Sequence, residues 1–550
     1  MSVPSSSKNT ATGVTSVRKV VSSSVNIAEA FNQHFASVFS GDTEEPRPQL
    51  PTISCPVLQD ISLSPCEVAA ALRSLDGSKA TGPDEISARL LKETAEQIAP
   101  SLTLLYNKSL ETGVFPDEWK LANIVPIHKK DNKDHVENYR PISLLSIISK
   151  ILERCVLIRL RDHLLLMLDR AQHGFIPGKS CVTQLVEVID YIGSLLDSGK
   201  QTDVIYLDMS KAFDKVQHSL ILDKLRQYNI SGNLLNWFTS YLRGRRQRVT
   251  VLGATSKERK VTSGVPQGSI LGPMLFLLYV NDLPKTVNTS KVACFADDTK
   301  ILKQVDNLQD TAGLQNDIIS LNAACHKSHK TSDKEENAWL RSESCSPKSP
   351  EKAAGLDNIP PRLLKDSANV IARPLTKIIN VSLEQGTVPD DFKLAKDKKT
   401  ETVLFGTNAN LSKVTNHELS IDGFSLKRVT DYCYLGMTLN AKLSWHSHVD
   451  HVAMKVGSRI GMLRRLWNNL TPNAAETVYK SFIRPLMEYG DSIWTCCGEQ
   501  NKGRLEILQK RAVRVISRYP RSDDAMQSLR WDSLESRGDV HVLKLVTNVF

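Results

Sequence analysis

The stretch Val204-Ile205-Tyr206-Leu207-Asp208-Met209-Ser210-Lys211-Ala212-Phe213-Asp214 decides the fold. Val204–Leu207 is a short, unbroken apolar run that ends on an acid. A strand with one wet face alternates, so four apolar residues in a row predict a strand buried on both faces with Asp208 at its C-terminal lip. A related pattern returns downstream. Val292–Phe295 and Thr299–Val305 predict two strands around Ala296-Asp297-Asp298, a hairpin with acids at its tip. Between the two lies Ser263-Gly264-Val265-Pro266-Gln267-Gly268-Ser269, a tight turn before a buried helix over Pro273–Val280, with Pro273 suited to the first helical turn.

Together the three segments describe a chemistry. Carboxylates on adjacent strands hold divalent cations roughly 3.5–4 Å apart, an arrangement that activates a hydroxyl nucleophile and steadies a leaving phosphate oxygen. Asp208 and Asp297 are placed for that, and Mg²⁺ suits them as a hard cation that leaves room for substrate phosphates. The Asp-Asp dipeptide alone says little, since it recurs at 390–391 and 523–524, and a bare acidic turn is usually only solvated. What separates 297–298 is an apolar strand before it, a strand after it and a second strand-terminal acid upstream. In a nucleotidyl-transfer site a bulky side chain at Phe213, five residues after Asp208, would close against C2′ of an incoming sugar, whereas as a lone aromatic it reads as core. Gly264, Gly268 and Gly272 permit close backbone approach, and Gln267 offers a donor and an acceptor to a base or sugar.

Outward from this centre the chain has 550 residues, 70 Lys+Arg against 60 Asp+Glu, a net charge of +10 and a pI near 9.0. A hydrophobic content of 41% with 24% charged residues excludes wholesale disorder and collagen-like structure. No apolar run approaches the roughly 18–20 residues of a membrane helix, and no signal peptide opens the chain. Ten Cys without a C-x-x-C pair argue against a disulfide framework or zinc ribbon and for a reducing, intracellular setting in cytoplasm and nucleus. Residues 1–60 read as a flexible tail and linker, with a short amphipathic helix over Ile27–Phe39 and a Pro-rich link over Thr43–Pro56. Strands interleave with helices as far as about 322, and the chain after Tyr432–Leu439, read as one strand, is nearly all helix. The fold class is α+β, a mixed body followed by a helical region.

Here the residues resemble a known family. The segments at 206–214, 263–269 and 295–298 are similar to motifs A, B and C of reverse transcriptases. The flanking stretches at 138–154 (NYRPISLLSIISKILER), 172–181 (QHGFIPGKSC), 268–284 (GSILGPMLFLLYVNDLP) and 434–449 (YLGMTLNAKLSWHSHV) resemble non-LTR, LINE-type (jockey-like) retrotransposon polymerases. The resemblance implies a right-hand polymerase with fingers, palm and helical thumb, acting as an RNA-directed DNA polymerase on an RNA template, a DNA primer and deoxynucleoside triphosphates, with two Mg²⁺ ions and no obligate protein or membrane partner. It implies Asp208, Asp297 and Asp298 as catalytic, the first two as direct metal ligands. It implies Phe213 as sugar gate, Gln267 and Gly268 near the nascent pair, and Arg140 and Lys179 toward the triphosphate or template. Lys399 matches a lysine that protonates pyrophosphate, and Tyr434-Leu435-Gly436 the primer grip. Ile176 stands where many relatives carry Arg. A viral RNA-dependent RNA polymerase shares the palm, but Ala296 before the aspartates and Phe213 as gate favour DNA synthesis. The alternative is an inactive remnant that binds nucleic acid without polymerising.

Basic residues support a polyanionic partner. Arg243, Arg245, Arg246 and Arg248 cluster before motif B, and Lys502, Arg504, Lys510, Arg511, Arg514 and Arg518 stud a C-terminal helix; the plain reading of either group is a solvated face. The histidines of Cys325-His326-x-x-His329 and His446-x-His448-x-x-His451 lack a partner cluster of zinc-finger type and read as structural. The chain also repeats itself once. Lys79–Ala122 and Lys352–Ala395 align without gaps, with roughly 24 of 44 positions identical. Residues 323–396 therefore read as an inserted linker plus a second copy of finger sequence, between a fingers-and-palm segment (61–322) and the end of the palm, primer grip and thumb (397–550). Only about 60 residues precede the finger region, too few for an apurinic-type endonuclease domain.

Overall fold

The structure, a computed structural model, describes residues 14–16, 19–21, 23–40, 58, 60–129, 132–207, 209, 211–329, 400–411, 418–467, 470–495, 497–517 and 522–549. Asp208, Lys399, Arg518, the link over Thr43–Pro56 and nearly all of the inserted segment lie outside them. The elements that position the site are, in chain order, α1 (Ser24–Ala36), α2 (Ala95–Thr112), β1 (Leu121–His128), β2 (Tyr139–Leu144), α3 (Ile147–Leu165), α4 (Cys181–Asp197), β3 (Thr202–Leu207), α5 (Gly232–Leu242), β4 (Arg246–Val251), α6 (Gly272–Val280), β5 (Lys291–Phe295), β6 (Asp298–Gln304), α7 (Leu308–His329), β7 (Glu401–Phe405), β8 (Lys427–Arg428), β9 (Asp431–Tyr434), β10 (Met437–Asn440), α8 (His446–Leu466), α9 (Glu499–Ser517) and α10 (Leu534–Val549). Helix and sheet are mixed, as an α+β chain requires.

The apolar run at 204–207 lies in β3, the middle strand of a five-stranded sheet ordered β8-β7-β3-β6-β5. Strand β3 pairs antiparallel with β6 from Thr202↔Gln304 to Leu207↔Thr299, and with β7 on its other side. Its side chains alternate between two dry faces. Val204 and Tyr206 join Leu302, Val403 and Phe405 against Leu185, Val188 and Ile192 of α4 and the helices after residue 446. Ile205 and Ile301 join Leu314, Ile318 and Leu321 of α7. Helices on both faces are why the run is unbroken, and each such side chain withdrawn from water contributes about 1.5–3 kcal/mol. The described start of the stretch after 322 continues α7 as helix to His329.

A second sheet runs β2-β1-β4, with two short strands (Ala254–Thr255 and Arg259–Lys260) antiparallel to β4. Strand β2 has no clear period in the sequence because Pro141 interrupts it; it pairs across Pro126, and neither proline has an N–H to lose. Helix α1, within the 1–60 segment, docks here. Phe31 and Phe35 pack with Ile124 and Val249, while the buried Asn32 carboxamide donates to Ser256 Oγ and Lys257 O and accepts from Gln247.

The single strand expected over Tyr432–Leu439 is a hairpin. Strands β9 and β10 pair through Tyr434↔Met437 around Leu435 and Gly436, both left-handed (φ 44° and 82°), as a two-residue turn requires. The signal was weak because Leu occupies a position usually held by Asn, Asp or Gly. Beyond it α8 packs on α9 through Val456, Leu463, Leu505 and Ala512. Among the described residues no helix is long and apolar enough to cross a membrane.

Candidate active site

Strand β5 ends at Phe295 and β6 opens at Asp298, which pair with each other, so Ala296 and Asp297 form the tip of the hairpin. Ala296 is buried with φ 55°, Asp297 is half-buried and Asp298 exposed. A non-glycine residue is held left-handed only where its surroundings over-determine it. They do so here. Gln172 Oε1 accepts from Ala296 N at 2.8 Å and from Gly174 N at 2.8 Å, and Gln172 Nε2 donates to Ala296 O at 3.3 Å. His173 N donates to Cys294 O, and Cys294 N to Ala171 O. A methyl group on Gly174 would stand 2.4 Å from Ala296 N, so only glycine lets the loop come this close. The loop at 171–174 is thus welded to the acidic tip.

Beneath the tip lies Lys300, 2% exposed. Its ammonium sits 3.6 Å from the centre of the Tyr434 ring and donates to Asp298 O at 3.3 Å. Burial brings its pKa down to about 8, opposed by the neighbouring Asp298 and Asp297. Lys300 therefore ties the acidic hairpin to the β9–β10 hairpin. Tyr434 is itself buried, against Tyr206 as well as Lys300, and its turn is fastened from outside by Tyr489, whose hydroxyl donates to Leu435 O at 2.6 Å while its ring lies against Gly436.

The loop after β3 and the 263–269 turn close on each other. Val265 N donates to Phe213 O at 2.9 Å and Gly264 N to Val216 O at 2.7 Å. Gln267 Nε2 donates to Asp214 Oδ1 at 2.9 Å, and burial pushes the Asp214 carboxyl pKa up. Gln267 O accepts from Ser143 N of β2, and a methyl on Gly268 would stand 2.5 Å from Ser143 O. The Phe213 ring stacks on buried Phe276 of α6, centroids 4.2 Å apart at 17°. The start of α6 is anchored by Glu153 of α3, fully buried. Its Oε2 accepts from Ile270 N, Leu271 N and the Tyr241 hydroxyl, with Arg245 nearby.

The remaining candidates divide. Arg140 is exposed on β2, three residues from Ser143, and makes no ion pair with a described residue. Lys179 is committed: its ammonium donates to Arg170 O at 2.9 Å and Gln172 O at 2.8 Å, and burial lowers its pKa. Asp208 and Lys399 are outside the described residues; Leu207, the residue before Asp208, pairs with Thr299, two residues past Asp297. Sequence reasoning passed over Gln172, Lys300 and Glu153. Only a polar or charged residue inside an apolar pattern marked the last two, and only its place at the head of the 172–181 stretch marked Gln172.

The basic clusters also sort. Arg245 is buried over the Tyr241 ring, Arg246 pairs with Glu258 and Arg248 donates to Asn123, so three of the four arginines before the 263–269 turn serve the fold. On α9, Lys502, Arg504 and Lys510 face Glu535, Asp450 and Asp523. Arg511 and Arg514 have no such partner among the described residues. With Arg464 of α8 they line a groove of about 460 Å³ floored by Gly457 and Gly461, over which no other atom lies within 4 Å of an added methyl.

The donor chemistry at the tip suits Mg²⁺: two adjacent carboxylates, hard oxygen donors, one half-buried and one exposed. Among the described residues no group of three or more His, Cys, Asp or Glu gathers as a metal site.

Residues 127–331 match the family described as reverse transcriptase (RNA-dependent DNA polymerase). The chain is 28% identical over 517 residues to a probable RNA-directed DNA polymerase from transposon BS of Drosophila melanogaster, covering 90% of this chain and 49% of the relative. It is 27% identical over 509 residues to the corresponding X-element protein of the same fly (89% and 48%). It is 26% identical over 468 residues to the RNA-directed DNA polymerase from mobile element jockey (82% and 44%). The chain spans about half the length of these curated relatives, and the matched family segment encloses the acidic hairpin, the Phe213 loop and the Gln267 turn.

Proposed function

We propose that the chain is the RNA-directed DNA polymerase of a LINE-type, non-LTR retrotransposon. In this reading the five-stranded sheet is the palm, the second sheet with its helices the fingers, and the helices from 446 onward the thumb. The observation that carries it is the convergence of three separate sequence segments. The Asp297 tip is braced by the 171–174 loop, and the Phe213 loop and Gln267 turn are hydrogen-bonded to each other next to β3, whose last residue pairs with Thr299.

The residues divide the work as follows. Asp208 and Asp297, with Asp298 in support, would hold two Mg²⁺ ions, which supply charge stabilisation for in-line nucleotidyl transfer when bound. Phe213 excludes a 2′-hydroxyl by overlap. Gln267, oriented by Asp214, contacts the incoming nucleotide, and Gly268 lets the backbone approach. Arg140 meets the triphosphate. Lys179, with its ammonium spent on two carbonyls, shapes the loop that braces Ala296. Lys399 supplies a proton toward departing pyrophosphate. The Leu435-Gly436 turn positions the primer 3′ end, with Tyr434 as its buried root. The template is RNA, the primer DNA, and the Arg464–Arg511–Arg514 groove follows a phosphate backbone. Residues 323–396 are proposed to be a join between two element copies or a mis-assembled gene model; long-read transcripts lacking them would assign the second origin.

The test is primer extension on poly(rA)/oligo(dT) with Mg²⁺. We expect wild-type protein to incorporate dTTP and Asp297→Asn to abolish incorporation while RNA retention in a gel shift persists. Equal incorporation by the variant rejects the assignment. Salt-sensitive binding by wild type without any incorporation assigns the chain instead to nucleic-acid binding alone.

A further inference from the structure

Phe175 is in an unfavourable place by two measures. It is left-handed (φ 58°) although not glycine, and 54% of its surface is exposed. Single exposed apolar residues are ordinary, but this one cannot relax into a hydrophobic neighbour by drifting. Gly174, immediately before it, is packed against Ala296, and Gln172, three before it, grips the same residue. Lys179 crosses beneath to Arg170 O and Gln172 O. A strained, exposed aromatic on an immobilised loop is a presented group.

What it is presented to is Phe213. The two rings meet edge to face, centroids 6.2 Å apart at 86°. Phe213 is thus fixed from two sides: stacked on buried Phe276 and met by Phe175 toward solvent. The acidic tip is the third neighbour of the same loop, through Ala296.

We infer that Phe175 is a specificity-determining residue, a second wall of the sugar gate that locks the Phe213 ring plane and is covered by the sugar of an incoming deoxynucleoside triphosphate. This rests on the polymerase reading and on Phe213 as gate. With Phe175 in place the Phe213 ring has no room to tilt away from a 2′-hydroxyl. Without it, the ring is held from one side only.

The experiment compares kcat/KM for dGTP and GTP on an RNA template with a DNA primer, in wild type, Phe175→Ala, Phe175→Leu and Phe213→Ala. We expect Phe213→Ala to collapse the dGTP/GTP ratio. Phe175→Ala should lower it about tenfold, equivalent to about 1.4 kcal/mol, with dGTP use falling and GTP use holding or rising, and Phe175→Leu should fall between. A merely structural role would depress both substrates together and leave the ratio unmoved. That result overturns the inference, as does a ratio that Phe213→Ala leaves unchanged. Wild type without any dGTP incorporation is a different failure, that of the polymerase reading itself.

Discussion

Both polar atoms of the Gln172 carboxamide are spent on Ala296, the residue before Asp297: its oxygen accepts from the Ala296 amide at 2.8 Å and its nitrogen donates to the Ala296 carbonyl at 3.3 Å. A side chain here imitates a paired strand and holds a left-handed alanine at the one position that aims the following carboxylate. Gln172→Leu keeps the volume and removes the pairing, leaving the buried Ala296 and Gly174 amides without acceptors at about 1–3 kcal/mol each. We expect a lower melting temperature and a primer-extension kcat reduced about 10- to 100-fold, the scale of a misplaced catalytic group, with template–primer affinity retained. Unchanged kcat would show that Asp297 does not depend on this brace.

Gly264 joins the loop after β3 to the 263–269 turn. It has φ 86°, and a methyl there would stand 2.7 Å from Asp214 O and 2.9 Å from Phe213 O. Gly264→Ala therefore pays both backbone strain and a clash with main-chain atoms that have nowhere to go, together about 2–4 kcal/mol. We expect it to lose activity with both Phe213 and Gln267 displaced. Gly253→Ala, equally left-handed (φ 73°) but with nothing within 4 Å, should suffer only a mild loss of stability. Thermal melts and primer extension on the pair separate close packing from backbone strain.

How much of this was legible beforehand depends on whether a residue's partner is local. The run at 204–207 and the acidic hairpin were readable because their signals, period and apolarity, lie within a few residues. Strand β2 was not, since Pro141 breaks its pattern and its pairing partner across Pro126 is found only in three dimensions. The arginines at 245, 246 and 248 look like a phosphate track in sequence, yet their partners are Tyr241, Glu258 and Asn123, two of them remote along the chain or on another strand. The same holds for Lys179, whose ammonium is consumed by carbonyls up to nine residues away. A titratable side chain announces its charge in sequence but not whether the fold has already neutralised or engaged it.

Arg464, Arg511 and Arg514 are the test of that distinction on the basic side. They come from two packed helices, are exposed, and share a groove without a carboxylate partner among the described residues. Replacing any one by Gln leaves the core untouched, so melting temperature should hold. If each contacts one phosphate of a bound duplex, the slope of log K against log salt should shrink by about 0.9 per substitution. Lys510→Gln, whose ammonium is already paired with Asp523, should change the slope less. Binding isotherms at several salt concentrations give the answer, and equal effects from all four would place the duplex elsewhere.

His448 gives the helical region a defined response to acid. It is 4% exposed, ringed by Trp445 and Trp494, and its Nδ1 accepts from Thr438 N at 3.3 Å, which places the proton of the neutral ring on Nε2. Burial first, then the charges of His451 and Lys455, hold its pKa down at about 4, against 6.5 in an exposed histidine. As pH falls from 6.5 toward 4 the unfolded chain takes up a proton that the folded chain refuses, so stability declines across that window and is unaffected by this group above it. The full shift corresponds to a loss of about 3–4 kcal/mol. We expect the denaturation midpoint at pH 4.5 to lie below that at pH 7.5, and His448→Gln to flatten the difference while lowering stability at pH 7.5. A pH profile unchanged by the substitution would assign the acid sensitivity to other groups.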